Sequence, residues 1–317
     1  MSMREPKNNL DLVNILRQQG ASKYCSFLIY PNLYENNPNS NKKENVSLPV
    51  NYTYSNDFYD QINTENGLMF VGLNAAQRDS NVTQQLDLEF QNMHDNSPRN
   101  NDYKTARMVR DAEQSDKIKG SFVCDFMFNV AQTTLLNMDR IVNLLDNSLP
   151  NFSPKNNDFD FSSIPDIDFT KYNRYMKKVD DLKQELEDVK SINDDLKSYN
   201  TKEAKNIQNK LVKVNNRYNY EIGYAQGEFT IEKSKVSHEL YEHILYHDIP
   251  AFVYLVRLIK PKKIICFGGN TFNLVKLVKD KCQLKCDVSK ITHFANRSDG
   301  SEMISDINKE LNKSNNK

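Results

Sequence analysis

Hydrophobic and polar positions divide the chain into two α/β stretches, separated by a long polar segment with helical periodicity. In the first stretch, uninterrupted apolar runs at residues 67–74 and 120–125 predict short strands buried on both faces, as is typical of parallel sheets. The apolar and aromatic run 24–34 reads as a strand or a buried edge, and residues 105–112 have the spacing of a helix. These elements favour a sheet covered by helices.

The second stretch alternates most clearly between helix and strand. A helical pattern covers residues 237–259, and Pro250 is expected to begin or bend its second half. Residues 263–267 predict a buried strand, 271–279 a helix and 290–293 a last strand before a C-terminal helix. This order implies parallel pairing with right-handed crossovers. We therefore predict an α/β fold, a three-layer sandwich around a short, mostly parallel four-stranded sheet.

The polar segment predicts an inserted antiparallel helical hairpin. Apolar residues recur there at spacings of three and four, with one asparagine in the seam and a polar break between the two arms: Val179, Leu182, Leu186, Val189, Asn193 and Leu196, then Ile207, Leu211, Val214 and Tyr218. Each arm is expected to be roughly 30–40 Å long. Residues 171–225 are either a solvated packing arm or a surface for a protein partner or self-association.

These patterns suggest one discontinuous domain rather than two consecutive ones. Residues 1–146 and 233–317 are expected to form the α/β domain, and residues 147–232 a linker rich in Asn, Asp, Pro and Ser followed by the helical hairpin. At 317 residues the chain is long enough for such an arrangement.

Composition narrows the function classes. The chain has 42 basic and 42 acidic residues, which argues against a whole-chain polycation but leaves room for a locally basic face. No apolar run approaches the roughly 18 residues of a membrane span, so we expect a cytoplasmic protein without a membrane partner. An odd count of five cysteines favours free thiols over a disulfide framework. Cys282 and Cys286 are the only close pair, and no histidine lies near them in sequence to complete a metal site.

Polar residues follow the predicted strands at their carboxyl ends, where parallel sheets bind ligands: Asn74, Asp125, Gly268 and His293. Backbone amides in the turn Gly268-Gly269-Asn270, at a helix N-terminus, can hold a phosphate, although the full dinucleotide-binding fingerprint is missing. Each residue also has a structural interpretation. Asn74 can serve a turn, Asp125 can be buried against backbone amides, and His293 is a single histidine. His238, His243 and His247 share one helix without the glutamate of a zinc protease, and we interpret them as polar-face histidines.

The ordered set resembles the uracil-DNA glycosylase superfamily, in its mismatch-specific and single-strand-selective branches. Phe70-Val-Gly-Leu-Asn74 before a polar loop resembles the first motif, and residues 120–125 resemble the strand with the base-reading asparagine. Residues 258–268 resemble the penultimate helix and strand. His293-Phe-Ala-Asn-Arg297 sits where the second motif precedes a DNA-penetrating loop. The resemblance covers about residues 60–130 and 237–315.

The resemblance implies an enzyme that flips a base out of single- or double-stranded DNA and hydrolyses its N-glycosidic bond. Asn74 would hold the attacking water, and His293 would donate a hydrogen bond to the departing base. The remaining implied contacts are Asp125, Gly72 and Leu73 with the base, and Gly268, Gly269, Asn270, Asn296 and Arg297 with DNA. The resemblance implies no metal and no cofactor.

Departures from the family pattern leave alternatives open. Ala75-Ala76 replaces Pro-Gly, and Phe294-Ala295 replaces Pro-Ser. Asp125 replaces asparagine, and an ionised carboxylate only accepts hydrogen bonds. Asp125 is therefore protonated, or the target base presents donors, or base reading has moved elsewhere. The alternative functions are a catalytically degenerate binding module that engages a protein through the hairpin, and a different α/β enzyme.

Overall fold

The computed structural model describes residues 5–31, 46–49, 51–74, 89–94, 102–128, 130, 138–148, 159–196, 201–293 and 300–314. The chain divides into two compact units. The first comprises Met1–Asp166 with Tyr241–Lys317, and the second is Ile167–Leu240. The sequence analysis places the insertion at residues 147–232, whereas the second unit runs from Ile167 to Leu240. The predicted insertion therefore begins and ends earlier in the chain than the second unit.

A mixed five-stranded sheet forms the centre of the first unit, with strand order β1-β3-β2-β4-β5. The strands are β1 Cys25–Phe27, β2 Leu68–Asn74, β3 Phe122–Met127, β4 Lys263–Phe267 and β5 Asp287–Ile291. Strand β1 runs antiparallel to β3, and every other neighbouring pair is parallel. The three inner strands β3, β2 and β4 are the ones that the uninterrupted apolar runs predicted.

The prediction of four strands is wrong, because the short first strand joins the sheet. Strand β1, Cys25–Phe27, lies inside the apolar run 24–34, which the sequence analysis left open as a strand or a buried edge. The chain turns directly after it, where the Ile29 amide donates to the Phe27 carbonyl at 2.7 Å. The last strand also begins at Asp287 rather than at residue 290. As an edge strand, β5 buries only Ile291 fully, so its first residues lack an apolar signal.

Helices of the first unit cover both faces of this sheet. The helices of both units are, in chain order, α1 Asn9–Gln18, α2 Asn56–Gln61, α3 Asp102–Asp111, α4 Ser115–Ile118, α5 Met138–Ser148, α6 Thr170–Leu196, α7 Lys202–His243, α8 Ile249–Ile259, α9 Gly269–Cys282 and α10 Ser301–Ser314. Short 3₁₀ turns occur at Ala21–Lys23, Tyr52–Tyr54 and Phe161–Ser163. No helix in these described ranges combines the length and apolarity needed to cross a membrane.

Each face of the sheet has its own packing layer. On one face, Phe70 and Phe267 pack in a core cluster with Met108 of α3 and Ile307 of α10. On the other face, the ring of Phe252 in α8 lies 5.0 Å from that of Phe126 in β3. Burial of large aromatic side chains on both faces provides the apolar area that stabilises such a sheet.

The predicted helix at 237–259 is interrupted. Helix α7 ends at His243, a π-helical turn spans Ile244–Asp248, and α8 begins at Ile249. Pro250 lies in the first turn of α8, directly after the π-helical turn, and it has no N–H to donate to the preceding turn. The expectation that Pro250 begins the second half of this helix is confirmed.

The second unit contains helix α6 and most of α7, which pack antiparallel to each other. The rings of Tyr172 and Phe229 lie 5.2 Å apart, and Tyr218 forms a side-chain hydrogen bond with Glu185. Val179, Leu186, Ile222, Ala225 and Val236 are buried. Helix α7 has 42 residues, which makes it longer than the predicted arm.

The predicted seam is wrong on the α7 side at two positions. Ile207 and Val214 are exposed, whereas Ala204 is buried and Leu211 is half-buried. Small and polar residues such as Asn215 occupy inner positions of α7. The prediction relied only on large hydrophobic side chains. It therefore assigned Ile207 and Val214, which lie on the exposed side of the helix, to the seam.

Candidate functional site

The carboxyl ends of the parallel strands bring the candidate residues to one edge of the sheet. Asn74, the last residue of β2, pairs with Met127, and Gly72 pairs with Asp125 on β3. Gly268 follows β4, and His293 lies two residues beyond the end of β5. Because neighbouring strands are about 4.8 Å apart, the backbones of β2 and β5 are separated by roughly 10 Å, with β4 between them.

Asp125 is a buried carboxylate held by an asparagine from outside the sheet. Asp125 is only 4% exposed. Its Oδ2 atom accepts a hydrogen bond of 3.1 Å from Nδ2 of Asn92. The same Nδ2 atom donates to the Tyr24 carbonyl at 3.1 Å. A buried carboxylate without such donors would be strongly unfavourable. Asn92 therefore fixes the position of the Asp125 side chain.

Gly72 is required by the close approach of this carboxylate. A Cβ atom at position 72 would collide with Oδ1 of Asp125 and would lie 3.3 Å from Cε of Met93. The sequence identified Gly72 as a base-binding residue through the family resemblance. In the structure, its hydrogen-only side chain provides the space that Asp125 occupies.

His293 packs against the turn that follows β4. A Cβ atom at Gly268 would lie 3.2 Å from Cβ and 3.3 Å from Cδ2 of His293. Gly268 has a φ of +88°, a conformation that favours glycine, and its amide donates to the Ile291 carbonyl at 2.9 Å. The Gly268 turn thus holds the His293 ring beside the end of β5.

The electrostatic surroundings of His293 favour the neutral imidazole. Burial lowers the pKa of His293, and the nearby positive charge of Lys104 lowers it further. Lys104 lies in the first turn of α3 and is only 5% exposed. A neutral imidazole can donate a hydrogen bond from one nitrogen and accept one at the other.

A pocket of about 500 Å³ opens beside His293. It is lined by Gly268, Gly269, Lys290, Ile291, Thr292, His293, Asp306, Lys309, Glu310 and Lys313. Asp306 accepts hydrogen bonds from the amide and the hydroxyl of Thr292, at 3.1 and 2.7 Å. Glu310 accepts from Lys313 at 2.6 Å. Three lysines against two carboxylates give the pocket wall an excess of positive charge, despite the zero net charge of the chain.

The other predicted contacts fall in different places. Gly269 lines the pocket, whereas Asn270 is exposed on the first turn of α9 and Leu73 is half-buried in β2. Asn296 and Arg297 lie outside the described residues, and so does the side chain of Asn74. The sequence analysis missed Asn92 and Lys104, which act on Asp125 and His293 from outside the sheet.

The cysteines and the acidic residues do not form a metal site in the part of the chain that the structure describes. Cys25, Cys124, Cys266, Cys282 and Cys286 are all free and buried. Among the described residues, no group of three or more His, Cys, Asp or Glu side chains is arranged to hold a metal ion.

Comparisons with known proteins find no relative for this arrangement. No family model matches the chain. A search of curated proteins and a search of solved structures also return no match.

Proposed function

We propose that the chain is a DNA glycosylase-like hydrolase that flips a damaged or modified base and hydrolyses its N-glycosidic bond. The observation that carries the proposal is the half-buried His293, with its lowered pKa, beside a lysine-rich pocket. Asn74 ends β2, and Asp125 lies two residues before the end of the neighbouring strand β3. The carboxyl edge of the strands is the usual ligand-binding region of a parallel α/β sheet.

The proposed chemistry needs positioned groups rather than a strong base. Water adds to the sugar carbon as the bond to the base nitrogen breaks, and the base leaves with the bonding electron pair. Asn74 would orient the water, whose proton is released to solvent. A neutral His293 would donate a hydrogen bond to the base as negative charge develops on it. Donors of this kind contribute roughly 3 kcal/mol to transition-state stabilisation.

Lysines around the pocket provide the contact with the DNA backbone. Lys290, Lys309 and Lys313 line the same pocket as Gly268 and Gly269. Phosphates bind both to lysine side chains and to backbone amides at a helix N-terminus. The base need not be uracil. Asp125 Oδ2 already accepts from Asn92, and an ionised carboxylate at Asp125 would favour a base that presents an amino group.

The experiment is a glycosylase screen with the purified full chain. Single- and double-stranded oligonucleotides carry uracil, hypoxanthine or a modified pyrimidine, and abasic sites are revealed by alkaline cleavage. We expect base release from at least one substrate, with loss in Asn74→Ala and in His293→Ala. His238→Ala is the matched control, because His238 is exposed on α7. Activity that survives in both site variants contradicts the assigned roles.

The alternative function is a catalytically degenerate module that binds a protein through its helical unit. The observation that favours it is the group of exposed large apolar side chains on α7, which includes Tyr220, Tyr224 and Ile231. A screen that detects no base release, together with association that depends on these side chains, would favour this second function over the first.

A further inference from the structure

Thr105, the fourth residue of α3, has a buried hydroxyl that is not hydrogen-bonded within the described chain. Thr105 is 0% exposed, and its Oγ1 atom has no hydrogen-bond partner among the described residues. A threonine hydroxyl inside a helix often bonds a carbonyl of the preceding turn, and the large majority of buried polar groups are bonded. An unpaired buried hydroxyl is unfavourable for folding. We therefore looked for its partner in the substrate rather than in the chain.

Helix α3 begins at the edge of the sheet where the candidate site lies. Strands β2 and β3 are parallel, so the connection between them returns from the carboxyl end of β2 to the start of β3. Helix α3 lies in this connection. A Cβ atom at Gly300, directly before α10, would lie 3.5 Å from Cβ of Lys104, and the charge of Lys104 acts on His293. The first turn of α3 is therefore beside the carboxyl end of β5.

Thr105 lies on the side of α3 that packs against the sheet. Residues three and four positions apart share one side of a helix. Met108 and Val109, which follow Thr105 at these spacings, belong to the core cluster that contains Phe70 of β2 and Phe267 of β4. Thr105 extends this buried side by one turn towards the carboxyl edge.

The candidate residues lie on the face of the sheet that α3 covers. Side chains two residues apart in a strand share one face. Each candidate residue follows by two positions a member of the core cluster that packs against α3: Gly72 after Phe70, Asp125 after Val123 and His293 after Ile291. Asp125 and His293 therefore belong to the same layer as Thr105, between the sheet and α3, at the same edge.

We propose that Thr105 is a substrate-contacting residue, whose hydroxyl hydrogen-bonds the polar edge of a flipped base held beside Asp125 and His293. The inference rests on the proposed function, because it takes the base as the missing partner. A hydroxyl both donates and accepts, so it can pair with a carbonyl, an amino group or a ring nitrogen. Its desolvation has already occurred in the free chain, and the bond to the base therefore adds to binding without that cost.

A base fits this position better than a phosphate. Helix N-termini attract phosphates, and Lys104 adds a positive charge to the first turn of α3. Two buried carboxyl groups act in the opposite direction. Asp102, three residues before Thr105, is 1% exposed, and Asp125 is 4% exposed. Both repel an anion when they are ionised, whereas a neutral base with polar atoms is compatible with them.

The test compares Thr105→Val, which keeps the shape of the side chain without its hydroxyl, with Thr105→Ser, which keeps the hydroxyl. Base release is measured with the full chain on the oligonucleotide from which the wild type releases a base. We expect Thr105→Val to lower kcat/KM roughly tenfold, the effect of one lost hydrogen bond, and Thr105→Ser to retain most of it. In urea denaturation, Thr105→Val should unfold at a higher midpoint, because it loses no bond within the chain.

Tyr172→Phe is the matched control. Tyr172 lies in the second unit and is 2% exposed, and its hydroxyl also has no partner within the described part of the chain. Its removal should not lower the urea midpoint either, and base release should be unchanged. A variant at position 105 that is more stable and less active, beside a control that keeps its activity, supports a hydroxyl reserved for the substrate.

Three outcomes would overturn the inference. A lower urea midpoint in Thr105→Val would show that the hydroxyl is bonded within the chain. Equal base release by the wild type and Thr105→Val would remove the contact with the base but leave the proposed function intact. Absence of base release by the wild type would remove the proposed function, and the contact with it.

Discussion

The Asp125 carboxylate lies directly against the backbone of Gly72, its register partner on the neighbouring strand. Gly72→Ala would place a methyl group where Oδ1 of Asp125 now lies. The carboxylate cannot move away at low cost, because Asn92 holds its other oxygen. We expect the free energy of unfolding to fall by about 2 kcal/mol, measured by urea denaturation.

Gly269→Ala is the matched control for this prediction. Gly269 has no atom within 4 Å of an added Cβ, and it begins helix α9. The change should alter the free energy of unfolding by less than about 0.5 kcal/mol. Equal destabilisation by Gly72→Ala and Gly269→Ala would contradict the role given to the contact between Gly72 and Asp125.

Asn92 is expected to stabilise the fold through the two acceptors that it reaches. Asn92→Ala removes the hydrogen bonds to Asp125 Oδ2 and to the Tyr24 carbonyl. Losing hydrogen bonds to buried acceptors costs roughly 1–3 kcal/mol, so the melting temperature should fall. Asn219→Ala, which changes an exposed residue of α7, should show no such loss. A melting temperature that is unchanged in Asn92→Ala would argue against a structural role of Asn92 at the site.

Lys104 is expected to control the protonation of His293. Lys104→Met removes a positive charge that now lowers the pKa of His293, while the methionine keeps a long apolar stem in the buried position. The pKa of His293 should rise, although burial still holds it down. Nuclear magnetic resonance titration of the five histidines measures the change directly. Lys290 lines the pocket beside His293, so Lys290→Met is the control for the loss of a lysine charge. The pKa of His293 should change less in this variant than in Lys104→Met. An unchanged His293 pKa in Lys104→Met would refute the coupling.

The inner part of the fold was predictable, because buried parallel strands carry a signal that depends on local sequence alone. Strands β2, β3 and β4 appear as uninterrupted apolar runs, and their carboxyl ends identified Asn74, Asp125 and Gly268. The edge strands are marked less clearly, because the run 24–34 left β1 open as a strand or a buried edge and the first residues of β5 lack an apolar signal. Strand β1 has three residues, and β5 is largely exposed before Ile291.

Residues that act across the fold could not be predicted in the same way. Asn92 and Lys104 reach Asp125 and His293 from segments without a recognisable motif, so only the tertiary structure relates them. His243 was predicted to lie on a polar face, but it is buried. The π-helical turn that follows it at Ile244–Asp248 changes the helical phase, so a regular 3.6-residue pattern fails there.

His243 and Asp248 form a buried pair across this π-helical turn. Nδ1 of His243 lies 3.1 Å from Asp248 Oδ2, and Nε2 lies 2.8 Å from the Pro165 carbonyl oxygen. Asp248 Oδ1 also accepts from the Phe128 amide at 2.9 Å. When Asp248 is ionised, both imidazole nitrogens thus face acceptors, an arrangement that the doubly protonated ring satisfies. Asp166 adds negative charge, and the ring of His247 lies 5.4 Å away.

The pair should make stability depend on pH in one direction. Burial opposes the charged ring, but the bonds to Asp248 and Pro165 raise the pKa of His243 above its ordinary value. Burial also raises the pKa of Asp248, to about 6, against the influence of His243. In both cases the folded chain binds its proton more tightly than the unfolded chain. The stabilisation is therefore complete at low pH and is lost as pH rises.

The comparison that isolates this effect is wild type against the double variant His243→Gln with Asp248→Asn, which removes both titrations. Free energies of unfolding from urea denaturation are measured across the acidic and neutral range. The free energy of unfolding of the wild type, minus that of the double variant, should decrease as the pH rises from 3.8, the ordinary pKa of Asp248, to its folded value of about 6. It should shrink again above 6.5, the ordinary pKa of His243. His238→Gln, at an exposed position, should keep the wild-type slope. A difference that stays constant or grows with pH would show that neither His243 nor Asp248 binds its proton more tightly in the folded chain.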